Sequence, residues 1–304
     1  MSKAQTCSGT HTLERKAMIV LKGAEVSAKI KEEVRAALDF MSGSIPKLAI
    51  LRVGENPDDI SYERGAKKKL TDFGLAVQSH VWPADVTDEQ FRQEFDAINR
   101  DPETDGILLL RPLPRHIRER DIERMIDPAK DLDGISPLNM AKVFSGDPSG
   151  FAPCTAEAVI EILKTNGIPI AGRRVTVVGR SLVVGRPLAM LMLAEHATVT
   201  ICHTKTADLK AACKNAEILA AAAGSAGMIT GDMISPGAIV IDVGINVNAD
   251  GKLCGDAAFD TLEGIASMAT PVPGGVGAVT TAVLAKHLVK AAATRRGIRL
   301  PERA

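Results

Sequence analysis

The sequence predicts an α/β protein of two domains, each built on a parallel sheet. Three observations lead there. The chain has 304 residues, about two domains' worth at roughly 150 residues each. Short apolar runs alternate with stretches of helical apolar spacing, and that alternation implies parallel strands covered by helices. Several glycine turns follow directly on apolar strands, the place where open parallel sheets bind their ligands.

The elements follow in order. MIVL, beginning at Met18, is the first apolar strand, and residues 24–40 carry helical spacing that Gly43 and Pro46 end. LAILRV (48–53) is a buried-type strand, Ser61–Phe73 a helix closed by Gly74, and 75–82 an alternating strand. Thr87 caps the next helix, with Gln90 in the capping-box position. Asp105-Gly106 precedes the strand ILLL, which ends at Pro112, and a short helix lies near 119–126. Residues 127–155 are a long connection rich in turn residues, among them Pro128, Gly134, Pro137, Gly146 and Pro153. Thr155 then caps a helix. A second alternation starts at Arg173: RVTVVG, a helix over 185–195, TVTIC, a helix over 206–213, EILAAA and AIVIDVG. A Gly/Pro turn at 271–277 leads into a last helix over about 279–296. The domain boundary falls near 150–155, and the sequence leaves open whether the last helix crosses back to the first domain.

Composition excludes several classes of function. Hydrophobic residues at 45% and charged residues at 24% are those of an ordinary globular chain, not a disordered one. Lys+Arg equals Asp+Glu at 37 each, so no global positive field draws nucleic acid or a membrane surface. Aromatic residues number seven Phe, Trp82 and Tyr62, too few for a base-stacking platform. The cysteines, Cys7, Cys154, Cys202, Cys213 and Cys254, are odd in number and lack C-x-x-C spacing, which reads as reduced thiols in a cytoplasmic protein. The six histidines are scattered, so no metal site is expected. No apolar run reaches the ~18 residues of a membrane span. Residues 1–17 are polar, without the apolar core of a signal peptide, and are expected to form a loose extension.

The second half carries the features of a dinucleotide site. Gly179-Arg180-Ser181-Leu182-Val183-Val184-Gly185 follows a strand and opens a helix, where a pyrophosphate meets a helix N-terminus. Its G-x-S-x-x-x-G pattern is weak by itself, and the context strengthens it. TVTIC ends about 24 residues after Gly179, where an NAD enzyme usually places a carboxylate on the ribose. Here His203-Thr204-Lys205-Thr206 stands instead. Hydroxyls and cations, with Arg180 in the first turn, suit a 2′-phosphate and favour NADP over NAD. The alternative is that Arg180 and Lys205 are solvated surface charges. Two further turns, Asp242–Asn246 and Pro271–Gly277, follow apolar strands. The second has glycine enough for close backbone approach to a flat ring, or it is a tight interdomain turn.

Together these motifs identify a resemblance to the bifunctional methylenetetrahydrofolate dehydrogenase/cyclohydrolase (FolD) family, from about Met18 to about Lys290. Its segments are Val53-Gly54 with Ser61-Tyr62, Gly106-Ile107-Leu108 with Pro112-Leu113-Pro114, Lys130-Asp131-Leu132-Asp133-Gly134, Pro153-Cys154-Thr155, Gly179-Arg180-Ser181, Cys202–Thr206, Asp242–Asn246, Gly255-Asp256 and the Pro271–Gly277 turn. The resemblance implies a three-layer α/β folate domain, 18–153 completed by 279–304, and a Rossmann-type NADP domain with a parallel sheet, 154–278. It implies one-carbon derivatives of tetrahydrofolate as substrates and a homodimer joined through the NADP domains. Tyr62 would stack on the folate ring system and Asp133 would hydrogen-bond the pterin, both as catalytic residues, with Pro273, Gly274 and Gly275 beside the substrate. Gly179, Arg180, Ser181, Gly185, His203, Thr204, Gly244 and Ile245 would contact the cofactor, Arg180 and Thr204 through its 2′-phosphate.

Two positions depart from the family pattern. Where the family has Y-x-x-x-K, the Lys serving the cyclohydrolase step, this chain has Tyr62 followed by Ala66. Where the family strand ends Q-L-P-L-P, Leu110-Arg111-Pro112-Leu113-Pro114 replaces the Gln by Leu110. Neighbours do not substitute convincingly. Lys67 is about 140° around the helix from Tyr62, and Lys69 roughly 10 Å along it; the Lys67–Lys69 run reads as a solvated face. Arg111 points to the opposite side of an extended segment. The expected activity is therefore an NADP-dependent methylenetetrahydrofolate dehydrogenase with weak, absent or differently catalysed hydrolysis. The alternatives are a fully bifunctional enzyme using Asp133 or a nearby Lys, a non-catalytic folate- or nucleotide-binding protein, and a Rossmann dehydrogenase for another substrate.

Overall fold

A computed structural model describes residues 17–41 and 43–300; the extension through residue 16, Cys7 included, lies outside the described residues. In chain order the elements are β1 (Ile19–Val20), α1 (Gly23–Phe40), β2 (Lys47–Val53), α2 (Pro57–Asp72), β3 (Ala76–Trp82), α3 (Asp88–Arg100), β4 (Gly106–Leu109), α4 (Glu119–Met125), α5 (Pro137–Ser145), α6 (Cys154–Thr165), β5 (Arg174–Val178), α7 (Gly185–Ala194), β6 (Thr198–Cys202), α8 (Leu209–Lys214), β7 (Ile218–Ala221), β8 (Ile239–Asp242), β9 (Asn246–Val247), β10 (Leu253–Cys254), β11 (Met268–Ala269) and α9 (Gly277–Arg295).

The first sheet has the order β3-β2-β4, all parallel. Its central strand buries Leu48, Ala49, Ile50 and Leu51 completely, as a strand covered on both faces must. Asn56 starts α2 by accepting the Asp58 amide at 3.0 Å, with Pro57 in the first turn. Thr87 caps α3 through the Gln90 amide at 3.1 Å. The Gln90 side chain does not return to Thr87 as a capping box would; it donates to Glu94 at 3.0 Å.

The second sheet has the order β1-β11-β8-β7-β5-β6, again parallel. Residues 19–20, expected with the first domain, pair instead with Met268–Ala269 at its edge. Two ladder residues define no sheet by themselves, and the partner is set by where α1 begins. The Gly23 amide donates to the Gly274 carbonyl at 2.9 Å, which draws β1 to the strand preceding that turn.

The connection over 127–155 contains a helix that its turn residues hid. Ser136 accepts the Asn139 amide at 3.2 Å, Pro137 is the first residue of α5, and Gly146 ends it at φ +73°. Pro and Gly were that helix's own punctuation. Thr155 is not the cap of α6; Pro153 occupies that position and has no side-chain donor or acceptor to offer. The Cys154 amide is met from outside, by Asp133 Oδ1 at 2.8 Å. The last helix crosses back, for α9 packs against α1, α6 and α2. It is apolar around most of its circumference, burying Val279, Val283, Leu284, Leu288 and Val289, as a helix enclosed by other helices requires.

Candidate active site

Tyr62 sits on α2, 39% exposed as a residue, with its hydroxyl turned inward to Thr281 of α9. Burial of that oxygen pushes the phenol pKa up, and the neighbouring Cys154 and Asp133 push it in the same direction. Asp133 lies in the K-D-L-D-G loop, where the other two charged residues are structural. Lys130 Nζ donates to the carbonyls of Asn99 and Asp101 at 2.6 and 2.7 Å. Asp131 accepts the Ile135 and Ser136 amides at 2.9 and 2.8 Å. A Cβ on Gly134 would run into the Phe151 carbonyl, so the loop passes tightly under its neighbour. Burial raises the Asp133 pKa against the lowering effect of the Cys154 amide. Oδ1 is taken by that amide, which leaves Oδ2 as the acceptor for a ligand.

The two departures from the family pattern are buried and apolar. Ala66 is 1% exposed and Leu110 8% exposed, and both belong to one hydrophobic cluster with Val276 and Val279. Arg111 turns away, pairing with Glu119 at 3.4 Å and Glu123 at 3.1 Å on α4. Lys67 and Lys68 are exposed, as a solvated face requires. Lys69 is not part of that face. Its Nζ donates to the Ala278 carbonyl at 2.6 Å, and burial pushes its pKa down. Seven residues carry it nearly back to the Tyr62 side of the helix, where α9 begins.

The 271–277 turn lies beside the loop after β8. Val243, Gly244 and Ile245 line one cavity of about 220 Å³ together with Pro273, Gly274 and Gly275. Gly274 has φ +101°, and a Cβ on Gly275 would strike Pro271, so this turn needs glycine. Ile245 is 67% exposed, an apolar side chain free to cover a flat ring.

The dinucleotide loop is also built on close approach. Gly179 has φ +135°, and a Cβ there would collide with the Ala222 carbonyl; a Cβ on Gly185 would meet Gly179 itself. Ser181 Oγ accepts the Val184 and Gly185 amides at 3.0 and 3.3 Å, closing the loop before α7. The β5–β6 register pairs Val178 with Cys202, so Arg180 and His203-Thr204 emerge side by side. His203 Nδ1 accepts the Lys205 amide at 3.0 Å, and Thr206 Oγ1 accepts the His203 amide at 2.8 Å. Both thus shape the turn and leave Arg180 and Thr204 exposed. This cradle of glycines beside a cation and a hydroxyl fits a dinucleotide phosphate group. Among the described residues no group of three or more His, Cys, Asp or Glu side chains is placed to hold a metal ion.

Two carboxylates whose role sequence reasoning missed hold these loops. Asp256 is fully buried and accepts the amides of Ala223, Gly224 and Ser225 and the side chain of Asn246. Asp242 accepts the amides of Gly244, Asp256 and Ala257 at 2.8–3.0 Å. Burial pushes its pKa up to about 6 against those amides, and Asp256 adds to the rise. The signal in the sequence was an Asp within two residues of a glycine in each turn, a pattern too common to assign.

Known proteins bear on this geometry. Residues 21–133 match the family described as tetrahydrofolate dehydrogenase/cyclohydrolase, catalytic domain, and residues 153–296 match its NAD(P)-binding domain. "Bifunctional protein FolD" of Clostridioides difficile is 48% identical over 274 residues, 90% of this chain and 96% of that one. The crystal structure of the bifunctional FolD enzyme from Campylobacter jejuni superposes with a TM-score of 0.89 at 37% identity, covering 92% of this chain and all of that one. That of Trypanosoma brucei FolD, complexed with NADP cofactor and inhibitor, gives 0.86 at 33%, covering 93% and 99%. On these matches, which span both halves, the chain belongs to the tetrahydrofolate dehydrogenase/cyclohydrolase family.

Proposed function

We propose that this protein oxidises 5,10-methylenetetrahydrofolate to 5,10-methenyltetrahydrofolate with NADP, and that its hydrolysis of the product is impaired. The observation that carries the second clause is the burial of Ala66 and Leu110 in one apolar cluster. The C–H bond of the one-carbon bridge breaks with both electrons leaving as hydride, and the positive charge stays on the methenyl product. NADP, when bound, supplies the hydride acceptor. The chain's own task in that step is positioning. Tyr62 stacks on the folate rings, Asp133 holds the pterin through Oδ2, and the Pro273-Gly274-Gly275 backbone borders the substrate. Gly179, Ser181, Gly185, His203, Gly244 and Ile245 border the cofactor, and Arg180 with Thr204 holds its 2′-phosphate. Residues 18–153 and 279–304 serve the folate, residues 154–278 the cofactor.

Hydrolysis is a different demand. Water adds to the methenyl carbon, loses a proton, and a C–N bond then breaks with a proton delivered to nitrogen. General acid–base assistance there is worth typically 10²–10⁴-fold, and neither a methyl nor an isobutyl group moves a proton. The test follows methenyltetrahydrofolate absorbance and NADPH formation on one preparation. NADPH formation with hydrolysis at the buffer rate is expected. Hydrolysis well above that rate overturns the second clause and favours a bifunctional enzyme. Lys69 then becomes the amine to replace, because it is partly buried, its pKa is lowered and its Nζ reaches the start of α9 at the Ala278 carbonyl.

The same reading includes a homodimer joined through the cofactor domain and a cytoplasmic location. Exposed Val247 and Leu253, paired across the β9–β10 hairpin, support the first as an apolar patch. Unpaired Cys154, Cys202, Cys213 and Cys254 support the second.

A further inference from the structure

The residues behind Asp133 close a circuit that none of the sequence motifs contains. His287 lies on α9 and is 2% exposed. Its Nδ1 is 2.7 Å from the Leu132 carbonyl oxygen, and its Nε2 is 2.8 Å from Glu157 Oε2. A carbonyl and a carboxylate only accept, so each ring nitrogen faces an oxygen that takes a hydrogen bond. The Leu132 carbonyl belongs to the peptide that leads into Asp133. Glu157 lies three residues after Cys154 on α6, one turn of helix. The Cys154 amide donates to Asp133 Oδ1 at 2.8 Å. The circuit therefore runs from Asp133 through Cys154 and Glu157 to His287, and back through Leu132.

The surroundings fix the imidazole further. The Phe151 ring lies 5.3 Å from it, with Lys290 Nζ 4.8 Å from the centre of that ring. Lys286 reaches the other oxygen of Glu157 at 3.4 Å. Cys154 Sγ lies 3.4 Å from the same Leu132 carbonyl and 3.7 Å from His287 Nδ1. A histidine that merely filled the core would need its two hydrogen bonds only for its own satisfaction. These two go to the backbone of the site loop and to the helix whose first amide holds the Asp133 carboxylate.

We infer that His287 and Glu157 are positioning residues for Asp133, and so for folate, acting from the C-terminal helix. The inference rests on the reading of Asp133 as a folate contact. Neither side chain touches substrate; each constrains one end of the Asp133 segment.

The test measures KM for methylenetetrahydrofolate, KM for NADP and kcat in Asp133→Ala, His287→Leu, His287→Asn and Glu157→Gln. An asparagine amide reaches the Leu132 carbonyl from nearly the place of Nδ1, whereas leucine donates nothing. His287→Leu is expected to raise the folate KM about tenfold or more, leave the NADP KM within about twofold, and be largely rescued in His287→Asn. A folded His287→Leu protein with wild-type folate KM, beside an impaired Asp133→Ala protein, overturns the inference alone. So does His287→Asn behaving like His287→Leu. Unchanged folate use in Asp133→Ala overturns the Asp133 reading and the inference with it. Where His287→Leu does not fold, Glu157→Gln decides: a severalfold rise in folate KM alone supports the inference, and wild-type values overturn it.

Discussion

At the scale of single residues, the polar groups of the loops after β5 and β6 divide into those spent on the backbone and those left exposed. Ser181, His203 and Thr206 spend their polar atoms on backbone amides. Arg180 and Thr204 do not; they stand exposed on adjacent strand ends. An exposed guanidinium beside a hydroxyl suits a phosphate and offers nothing to a ribose hydroxyl that a carboxylate would serve better. Arg180→Ala is therefore expected to lower the kcat/KM ratio of NADP over NAD by about ten- to a hundredfold, in line with the loss of a charged hydrogen bond, while NAD-supported turnover changes little. Initial rates with both cofactors check this; an unchanged ratio removes Arg180 from the 2′-phosphate site. Tyr62, Asp133, Arg180 and the glycines stand out in the sequence because each sits in a spaced motif. His287 does not, since a lone histidine on an apolar helix carries no pattern. Its meaning comes from residues 130 and 155 positions away along the chain.

At the scale of elements, most strands and helices were legible because their apolar spacing survives folding unchanged. Several details were not, three of them instructive. Helix α5 was hidden by Pro137 and Gly146, which mark a loop as readily as the ends of a short helix. The start of α6 was misplaced because its first amide is met by Asp133, about twenty residues upstream. The spacing of Lys69 predicts a solvated face because helical periodicity says which face a residue occupies, not what packs there; α9 does. The loops after β7 and β8 are held by Asp242 and Asp256, and this has a measurable consequence. The native pKa of Asp242, about 6, lies above its ordinary 3.8. Between those values the folded protein keeps a proton that the unfolded chain releases, so stability falls as pH rises through that window. Below it the group contributes nothing. A shift of about two units corresponds to roughly 3 kcal/mol. Denaturant unfolding of the native protein and Asp242→Asn at pH 4 and pH 7 is expected to show the native protein losing about 2 kcal/mol relative to the variant, since part of the shift is already expressed at pH 4. Parallel pH curves would refute the assignment.

At the scale of the whole molecule, two sheets are tied together by both ends of the described chain. β1 joins the far sheet while α1 packs with α9, and α9 returns from the cofactor half to cover α2, where Tyr62 sits. The helix that begins at the 271–277 turn therefore packs on α1, α2 and α6, while that turn lies beside the loop after β8. The exposed apolar hairpin β9–β10 stands on the same half as the cofactor loops. Mass in solution, measured by light scattering at micromolar protein, is expected at twice 32.1 kDa; a monomer mass would count against the dimer.

The sequence by itself determined the class of fold, the glycine-bearing turns after β5, β8 and β11 and the absence of the family's Lys and Gln, because these depend on residue type at fixed local spacing. The tertiary structure decided the rest. It placed β1, buried Ala66 and Leu110 in one cluster, turned Lys69 toward α9, and brought His287 behind Asp133. Those outcomes depend on which distant element packs where, and no local periodicity encodes a contact between residues more than a hundred positions apart.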